Sequence, residues 1–131
     1  MQYKVLVVDD NKMNLKVLIA MLTRMGHFVI VAENGVEAVN LFKDNEFHMI
    51  LMDYQMPIMD GEEATVTIRK IEKQQKSDVR IPIIAVSANL TNEIKVSFLK
   101  SGVDDVITKP IAKENLIKAI KKHVVQNGQT D

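Results

Sequence analysis

Five polar residues, each at or just after the end of an apolar run, carry side chains that can handle a phosphoryl group. They are Asp9, Asp10, Asp53, Ser87 and Lys109. Carboxylates that share a cleft repel each other and raise at least one pKa, and a divalent cation removes that repulsion. Oxygen ligands without His or Cys nearby favour Mg²⁺, which keeps several of its waters. The hydroxyl and the ammonium could then orient the oxygens of a phosphoryl group in transfer.

Asp53 is the best candidate for the phosphoryl acceptor. It stands alone at the end of an apolar run, and a carboxylate can attack phosphorus to give an aspartyl phosphate. Plainer interpretations exist for each residue: Asp10 could cap a helix, and Asp53 could begin a turn. Ser87 could be structural, and Lys109 could be a solvated lysine with a buried stem. If all of them lie on one edge of the fold, the phosphate site is favoured.

Apolar runs and helical patterns alternate along the chain. Short apolar runs predict strands at residues 5–8, 28–31, 49–52, 81–86 and 105–108. Helices are predicted at residues 11–25, after Asn34-Gly35, and at residues 62–73, 91–100 and 113–125, with Thr91 as an N-cap and Gly102 as a C-terminal stop. This alternation predicts a parallel sheet with helices on both faces, which binds ligands beyond the carboxyl ends of its strands. The five polar residues should therefore meet on one edge.

Length and composition indicate one globular domain. The 131 residues are too few for two well-packed domains, and 47% hydrophobic with 26% charged residues is typical of a folded chain. We expect a domain at residues 1–125, a frayed tail at 126–131 and a polar surface connection at 74–80. Equal numbers of basic and acidic side chains, 17 of each, argue against nucleic-acid binding through a basic face. The absence of cysteine excludes disulfide and thiolate chemistry.

Four motifs resemble those of the receiver (response-regulator) domain of two-component signalling, and the resemblance covers almost the whole chain. The motifs are Val5-Leu6-Val7-Val8-Asp9-Asp10-Asn11, Met52-Asp53-Tyr54-Gln55-Met56-Pro57-Ile58-Met59-Asp60-Gly61, Val86-Ser87-Ala88 and Thr108-Lys109-Pro110. The resemblance implies an α/β, flavodoxin-like (βα)5 fold, a doubly wound parallel sheet with strand order 2-1-3-4-5. The stretch at residues 9–14 is most similar to receivers of hybrid histidine kinases.

The resemblance also implies roles for the polar residues. Asp53 would accept a phosphoryl group from a phosphohistidine on a partner. Two side chains would contact the phosphoryl oxygens, those of Ser87 and Lys109. Asp10 and Asp53 would bind Mg²⁺ directly, as would the backbone carbonyl of Gln55. Asp9 would help, often through a water.

Further residues near the site follow from the same resemblance. The Lys109–Pro110 peptide bond is expected to be cis, a minority state for bonds to proline. Ala88 matches a position that is kept small for access to the phosphoryl group. The side chains of Gln55 and Asn89 would flank the route of the hydrolytic water and tune the lifetime of the acyl phosphate.

Val106 departs from the family pattern at the switch position of the fifth strand. The family usually has Tyr or Phe there, and this ring turns inward when the hydroxyl residue moves. A valine has no ring to turn, so the aromatic switch is not expected in this chain. Movement of the Ser87 hydroxyl could still shift the loop after the fourth strand.

The predicted first helix has a second apolar stripe beside its core-facing one. The stripe consists of Met13, Val17, Ala20 and Met21. It could widen the core-facing surface, or it could dock the helical bundle of a histidine kinase or histidine phosphotransfer protein. The resemblance favours docking. It also implies a cytoplasmic domain, free-standing or part of a membrane-bound hybrid kinase, and we expect a monomer without direct membrane contact.

Two other functions could use similar residues. A Mg²⁺-dependent aspartyl-phosphate phosphatase with haloacid-dehalogenase-like chemistry would need a second acid two residues after the nucleophile, where this chain has Gln55. A flavin- or nucleotide-binding protein would need a glycine-rich loop after the first strand, where Asp9 and Asp10 stand. The favoured interpretation is a signalling receiver, which is not an enzyme beyond its own phosphorylation and dephosphorylation.

Overall fold

The chain folds into alternating strands and helices. A computed structural model describes residues 2–56, 58–75 and 79–124, so Pro57, the whole predicted tail at 126–131 and part of the predicted 74–80 connection lie outside it. The strands are β1 (Lys4–Val8), β2 (Phe28–Ala32), β3 (Met49–Asp53), β4 (Ile83–Ser87) and β5 (Asp105–Thr108). The helices are α1 (Lys12–Arg24), α2 (Gly35–Asp44), α3 (Gly61–Gln74), α4 (Asn92–Ser101) and α5 (Lys113–Ala119). Across the described ranges, every helix is too short or too polar to span a bilayer.

The sheet is parallel throughout, with strand order β2-β1-β3-β4-β5. This order confirms the predicted flavodoxin-like topology. The registers bring the ends of the central strands level, since Val8 pairs with Met52 and Ser87 pairs with Thr108. Residues that follow these positions therefore meet along one edge of the sheet.

Two apolar cores lie on opposite faces of the sheet. Side chains such as Val7 and Leu51 pack with the core that includes α1 and α5, whereas Leu6 and Ile50 pack with the core that includes α2 and α3. Every residue of β3 and β4 is buried, because a parallel strand between two helical layers has no solvent-facing side. The same burial explains why these strands appear as continuous apolar runs in the sequence.

Side-chain caps fix where four helices begin. The capping residues of α1 to α4 are Asn11, Asn34, Asp60 and Thr91. Each side-chain oxygen accepts a hydrogen bond from a backbone N–H in the first turn, which stabilises a helix by about 1 kcal/mol. The predicted stop of α4 at Gly102 is confirmed by its left-handed φ of 118°. Because Asn11 caps α1, the neighbouring Asp10 carboxylate is not used as a cap.

Two predicted boundaries are wrong. β4 begins at Ile83 rather than at residue 81, because the backbone of Ile81 bonds to side chains instead of a strand: its N–H donates to Glu72 at 2.7 Å and its carbonyl accepts from Arg69 at 2.8 Å. The last helix, predicted at residues 113–125, is α-helical only to Ala119 within the described residues. It widens after Ala119 into a π-helical segment (Ile120–Val124) that still packs on the core.

A network of charged side chains fastens α3 to the edge of the sheet opposite the polar residues. Arg69 pairs with Glu72 and Asp104, both at 2.9 Å, and donates to the carbonyl oxygen of Gly102 at 2.9 Å. Arg80 pairs with Asp104 at 3.1 Å and donates to the same Gly102 carbonyl at 2.9 Å. The network therefore holds the turn after α4 against α3.

Candidate functional site

Three carboxylates meet at the carboxyl edge of the sheet. Asp9, Asp10 and Asp53 each offer one oxygen, and these oxygens lie within 4.8 Å of one another. Asp9 and Asp53 are only 3% and 2% exposed, whereas Asp10 is open to solvent. The grouping follows from the topology, because Asp9 comes directly after β1 and Asp53 ends the adjacent β3. A donor set made only of oxygens fits Mg²⁺.

The first turn of α1 holds the Asp9 carboxylate. Its Oδ1 accepts a hydrogen bond from the Asn11 N–H at 2.9 Å, and its Oδ2 accepts one from the Asn14 side-chain amide at 3.4 Å. Asn14 is a site residue that is missing from the predicted set. The sequence contains a signal for it. Asn11 directly follows the two aspartates, and Asn14, three residues further on at the start of the helix, faces the same side as Asn11.

Lys109 brings a positive charge to the acids. Its Nζ lies 3.2 Å from Asp53 Oδ2 and 3.6 Å from Asp9 Oδ2. The Lys109 N–H donates to the Ser87 carbonyl at 2.9 Å, which fixes the start of this loop against β4. The Lys109–Pro110 peptide bond is cis, as expected.

Burial raises the pKa of the Asp53 carboxyl above its ordinary value. The Gln55 N–H, 3.0 Å from Asp53 Oδ1, and the Lys109 ammonium both lower this pKa, whereas the charge of Asp9 raises it further. The net direction is upward, so one ammonium does not fully compensate two buried carboxylates. A divalent cation at the acids would supply the remaining positive charge.

The Ser87 hydroxyl lies at the same edge but bonds to its own loop. Ser87 is fully buried, its Oγ donates to the Asn89 carbonyl at 3.2 Å, and it accepts from the Asn89 N–H at 3.3 Å. The side chains of Asn89, Ala88 and Gln55 are exposed around the acids. Their predicted roles, and that of the Gln55 carbonyl, stay predictions.

A cavity of about 390 Å³ opens beside the acids, between α1 and the loop after β5. Its apolar wall includes Val17, Leu18, Ala88, Pro110 and Ile111. Its polar wall is formed by four site residues, Asp9, Asn14, Asp53 and Lys109. The predicted acceptor thus lies at the side of a pocket that also reaches the proposed docking helix.

The second stripe of α1 divides into an exposed part and a packed part. Met13 and Val17 are 69% and 49% exposed, and Ala20 is also exposed. Met21 packs against the core of α1 and α5, so the wide-core interpretation holds for that residue. Val106, at the predicted switch position, is half-buried and packs on the other core.

The fold and the acid cluster together define a class of signalling domain. The chain belongs to the response regulator receiver domain family, whose sequence profile matches residues 5–121. It is 41% identical over 126 residues to hybrid signal transduction histidine kinase I of Dictyostelium discoideum, and 41% identical over 119 residues to the sensor protein GacS of Pseudomonas syringae pv. syringae. These matches cover 92% and 91% of the chain but only 7% and 13% of the two relatives. The chain is therefore similar to a small part of each relative.

Solved structures agree with this assignment. A chain of the co-crystal structure of the Saccharomyces cerevisiae histidine phosphotransfer protein Ypd1 and the receiver domain of its response regulator Ssk1 has a TM-score of 0.89 and 34% identity, covering 96% of this chain and 92% of its own. A receiver domain of a Pseudomonas aeruginosa sensor histidine kinase, with magnesium coordinated in its active site cleft, has a TM-score of 0.84 and 31% identity, covering 95% and 98%. Membership of a signalling family gives no support to the phosphatase alternative.

Proposed function

We propose that this chain is the phosphoacceptor of a two-component phosphorelay, in which Asp53 takes a phosphoryl group from a phosphohistidine with the help of Mg²⁺. The observation that carries the proposal is the charge arrangement at Asp53. A buried carboxylate with a raised pKa lies among two other acids, and one ammonium stands 3.2 Å from its oxygen. This arrangement suits a carboxylate that reacts beside a bound cation.

Transfer requires one bond to form and one to break. An oxygen of Asp53 forms the new bond to phosphorus, while the bond from phosphorus to the donor imidazole breaks and its electron pair returns to the ring nitrogen. Lys109 would neutralise the phosphoryl oxygens, and the Ser87 hydroxyl would leave its bonds to Asn89 to donate to one of them. Mg²⁺ bound by Asp9, Asp10, Asp53 and the Gln55 carbonyl would supply additional positive charge for those oxygens.

The relatives of the chain support a proposal for its setting. We infer that the donor is a helical bundle of a histidine kinase or a histidine phosphotransfer protein, that docking uses Met13 and Val17 with part of Met21, and that phosphorylation changes partner binding. Residues 1–125 would form the working domain, acting in the cytoplasm. The side chains of Gln55 and Asn89 and the small Ala88 would set how fast water reaches the phosphorylated Asp53.

Labelling with a phosphodonor tests this function. The chain is incubated with acetyl phosphate or with a phosphohistidine donor, with Mg²⁺ and with a chelator. We expect an acid-stable, alkali-labile label that requires Mg²⁺ and is absent from Asp53→Asn. Asp44→Asn, which changes an exposed acid on α2, should label like the wild type.

Two results would contradict the proposal. Label retained in Asp53→Asn would place the acceptor elsewhere. Many turnovers on phosphate monoesters would show an enzyme in place of a stoichiometric acceptor, and the phosphatase alternative would then be favoured.

A further inference from the structure

Tyr54, the residue directly after Asp53, links the site to two helices. Its side chain is buried, and its hydroxyl donates to Thr65 Oγ1 on α3 at 3.1 Å. The same hydroxyl forms a 2.6 Å hydrogen bond with Ser101 Oγ at the end of α4. The Tyr54 ring also packs on Phe98 of α4, with ring centroids 4.2 Å apart. One side chain beside the acceptor therefore contacts α4 through both a ring and a hydroxyl.

The rest of α4 is held loosely. None of its ten residues, all of which the structure describes, is buried. The helix therefore gains little from apolar packing compared with α1 or α3, which each bury several side chains. An element with little buried apolar surface is the one that moves at low cost in free energy. The contacts of Tyr54 therefore contribute to the position of α4, together with the arginine bonds to the Gly102 carbonyl that follows the helix.

A second set of contacts connects the site to the amino end of α4. Ser87 bonds to Asn89 in the loop before α4, and this loop leads to the Thr91 cap. Both ends of α4 are thus connected to residues of the acceptor edge. Val106, on the neighbouring β5, has no polar atom and no ring to contribute to this link.

We propose that Tyr54 is a positioning residue that sets the placement of α4 and transmits the state of Asp53 to it. Transmission rests on the proposed function, whereas the positioning of α4 does not. The backbone of Tyr54 moves with that of Asp53, to which it is bonded, and its N–H is fixed to the Val86 carbonyl at 3.1 Å. A change in charge or volume at Asp53 therefore reaches the ring of Tyr54 and, through its hydroxyl, the end of α4.

Hydrogen exchange of the α4 amides in the full chain tests this role. Tyr54→Phe keeps the ring and removes the hydroxyl, Ser101→Ala removes its partner on α4, and Ser97→Ala changes an exposed serine of the same helix as the control. Without any ligand, the first two variants should exchange α4 amides roughly two- to tenfold faster than wild type, as expected when the Tyr54–Ser101 hydrogen bond is lost. The control should match wild type, and amides of α1 give the internal reference. Each single variant also loses one bond of its own, to Thr65 in Tyr54→Phe and to the Phe98 carbonyl in Ser101→Ala. Because the Tyr54–Ser101 bond is common to both, the double variant should change α4 exchange by less than the sum of the two single effects.

A second arm uses Mg²⁺ with beryllofluoride as a phosphoryl mimic. In wild type, beryllofluoride binding should change the exchange rates of the α4 amides. Tyr54→Phe should still bind beryllofluoride, but the exchange rates of its α4 amides should change less. If α4 exchange in Tyr54→Phe equals that of wild type without ligand, the positioning role is wrong. If beryllofluoride binds both proteins and α4 responds equally, transmission is wrong and the proposed function stands. If wild type binds no beryllofluoride, the proposed function fails and transmission fails with it, while the first arm still decides positioning.

Discussion

Lys109 Nζ lies 3.2 Å from Asp53 Oδ2 and faces a carboxylate that is only 2% exposed. The same ammonium is 3.6 Å from Asp9 Oδ2. One ammonium thus lies close to two buried carboxylates, and the site carries an excess of negative charge when no cation is bound. An excess of this kind favours binding of a cation and costs stability in its absence.

Neutralising Asp53 should stabilise the metal-free domain. The pKa of Asp53 is raised in the fold, so its charge opposes folding, and stability falls as the pH rises from 3.8 toward the raised pKa. In chelator at pH 7, Asp53→Asn should raise the free energy of unfolding by about 1 kcal/mol, a typical size for one substitution but opposite to the usual sign. Urea unfolding measures it, and the gain should vanish in acid, where wild type is protonated.

The exposed acid of the same cluster is the control for this prediction. Asp10→Asn should change stability by less than about 0.5 kcal/mol, because its charge is solvated. A destabilised Asp53→Asn, or an equal gain in both variants, would show that burial of the Asp53 charge is not what opposes folding.

Gly61→Ala should disturb the acceptor directly. A Cβ at Gly61 would overlap the carbonyl oxygen of Asp53 and lie 2.9 Å from the Cα of Tyr54, and backbone atoms there cannot move aside as a flexible side chain would. We expect a loss of about 1–3 kcal/mol in stability together with weaker Mg²⁺ binding. At Gly26 a Cβ would meet nothing within 4 Å, but φ is 90°. Gly26→Ala should therefore cost about 1–2 kcal/mol through backbone strain and leave Mg²⁺ affinity unchanged. Calorimetry that finds equal Mg²⁺ binding in both variants would refute the steric explanation.

Stability should depend on pH through His27. Its Nδ1 accepts the Tyr3 N–H at 3.1 Å, and burial, followed by nearby positive charges including His48, lowers its pKa below 6.5. The neutral ring is the form that fits the fold, so this contribution is complete above pH 6.5 and declines as the pH falls toward the lowered pKa. Unfolding measured on both sides of this window should show the slope, and His27→Gln should flatten it. A ring pKa at or above 6.5 by NMR titration would contradict the prediction.

Val17→Asp should separate partner docking from chemistry. Val17 is 49% exposed and lines the cavity beside the acids, so a charge there should oppose an apolar partner surface without removing a reactive group. We expect phosphotransfer from a histidine donor protein to slow by about tenfold or more, while labelling by acetyl phosphate is unchanged. Thr23→Asp, on an exposed position near the other end of α1, is the matched control. Equal loss in both assays, or in neither, would count against a docking role.

The edge that carries the site is predictable because strand burial leaves a clear pattern. β3 and β4 are buried along their whole length, and their last residues are Asp53 and Ser87. Apolar runs that stop at polar residues therefore mark both the strands and the edge where ligands bind. The start and stop of α4, at Thr91 and Gly102, are local effects of capping and glycine geometry, and the sequence identifies them for the same reason.

Contacts between distant side chains could not be predicted in this way. The Tyr54–Ser101 hydrogen bond joins residues 47 positions apart, and its existence depends on how α4 lies against the sheet. The predicted start of β4 is wrong for a related reason, since side chains of α3 bind the backbone of Ile81. Periodicity describes which face of an element is apolar, but it does not describe which polar atoms meet across two elements.

The anchored carbonyl of Gly102 gives α4 a fulcrum. Arg69 and Arg80 both donate to this oxygen at 2.9 Å, so we expect any displacement of the helix to be a rotation about its carboxyl end. Tyr54 acts on Ser101, close to the fulcrum, while Asn92 lies about 15 Å away at the far end of the arm. A shift of a few tenths of an ångström near Ser101 would then become a displacement several times larger at the amino end of α4.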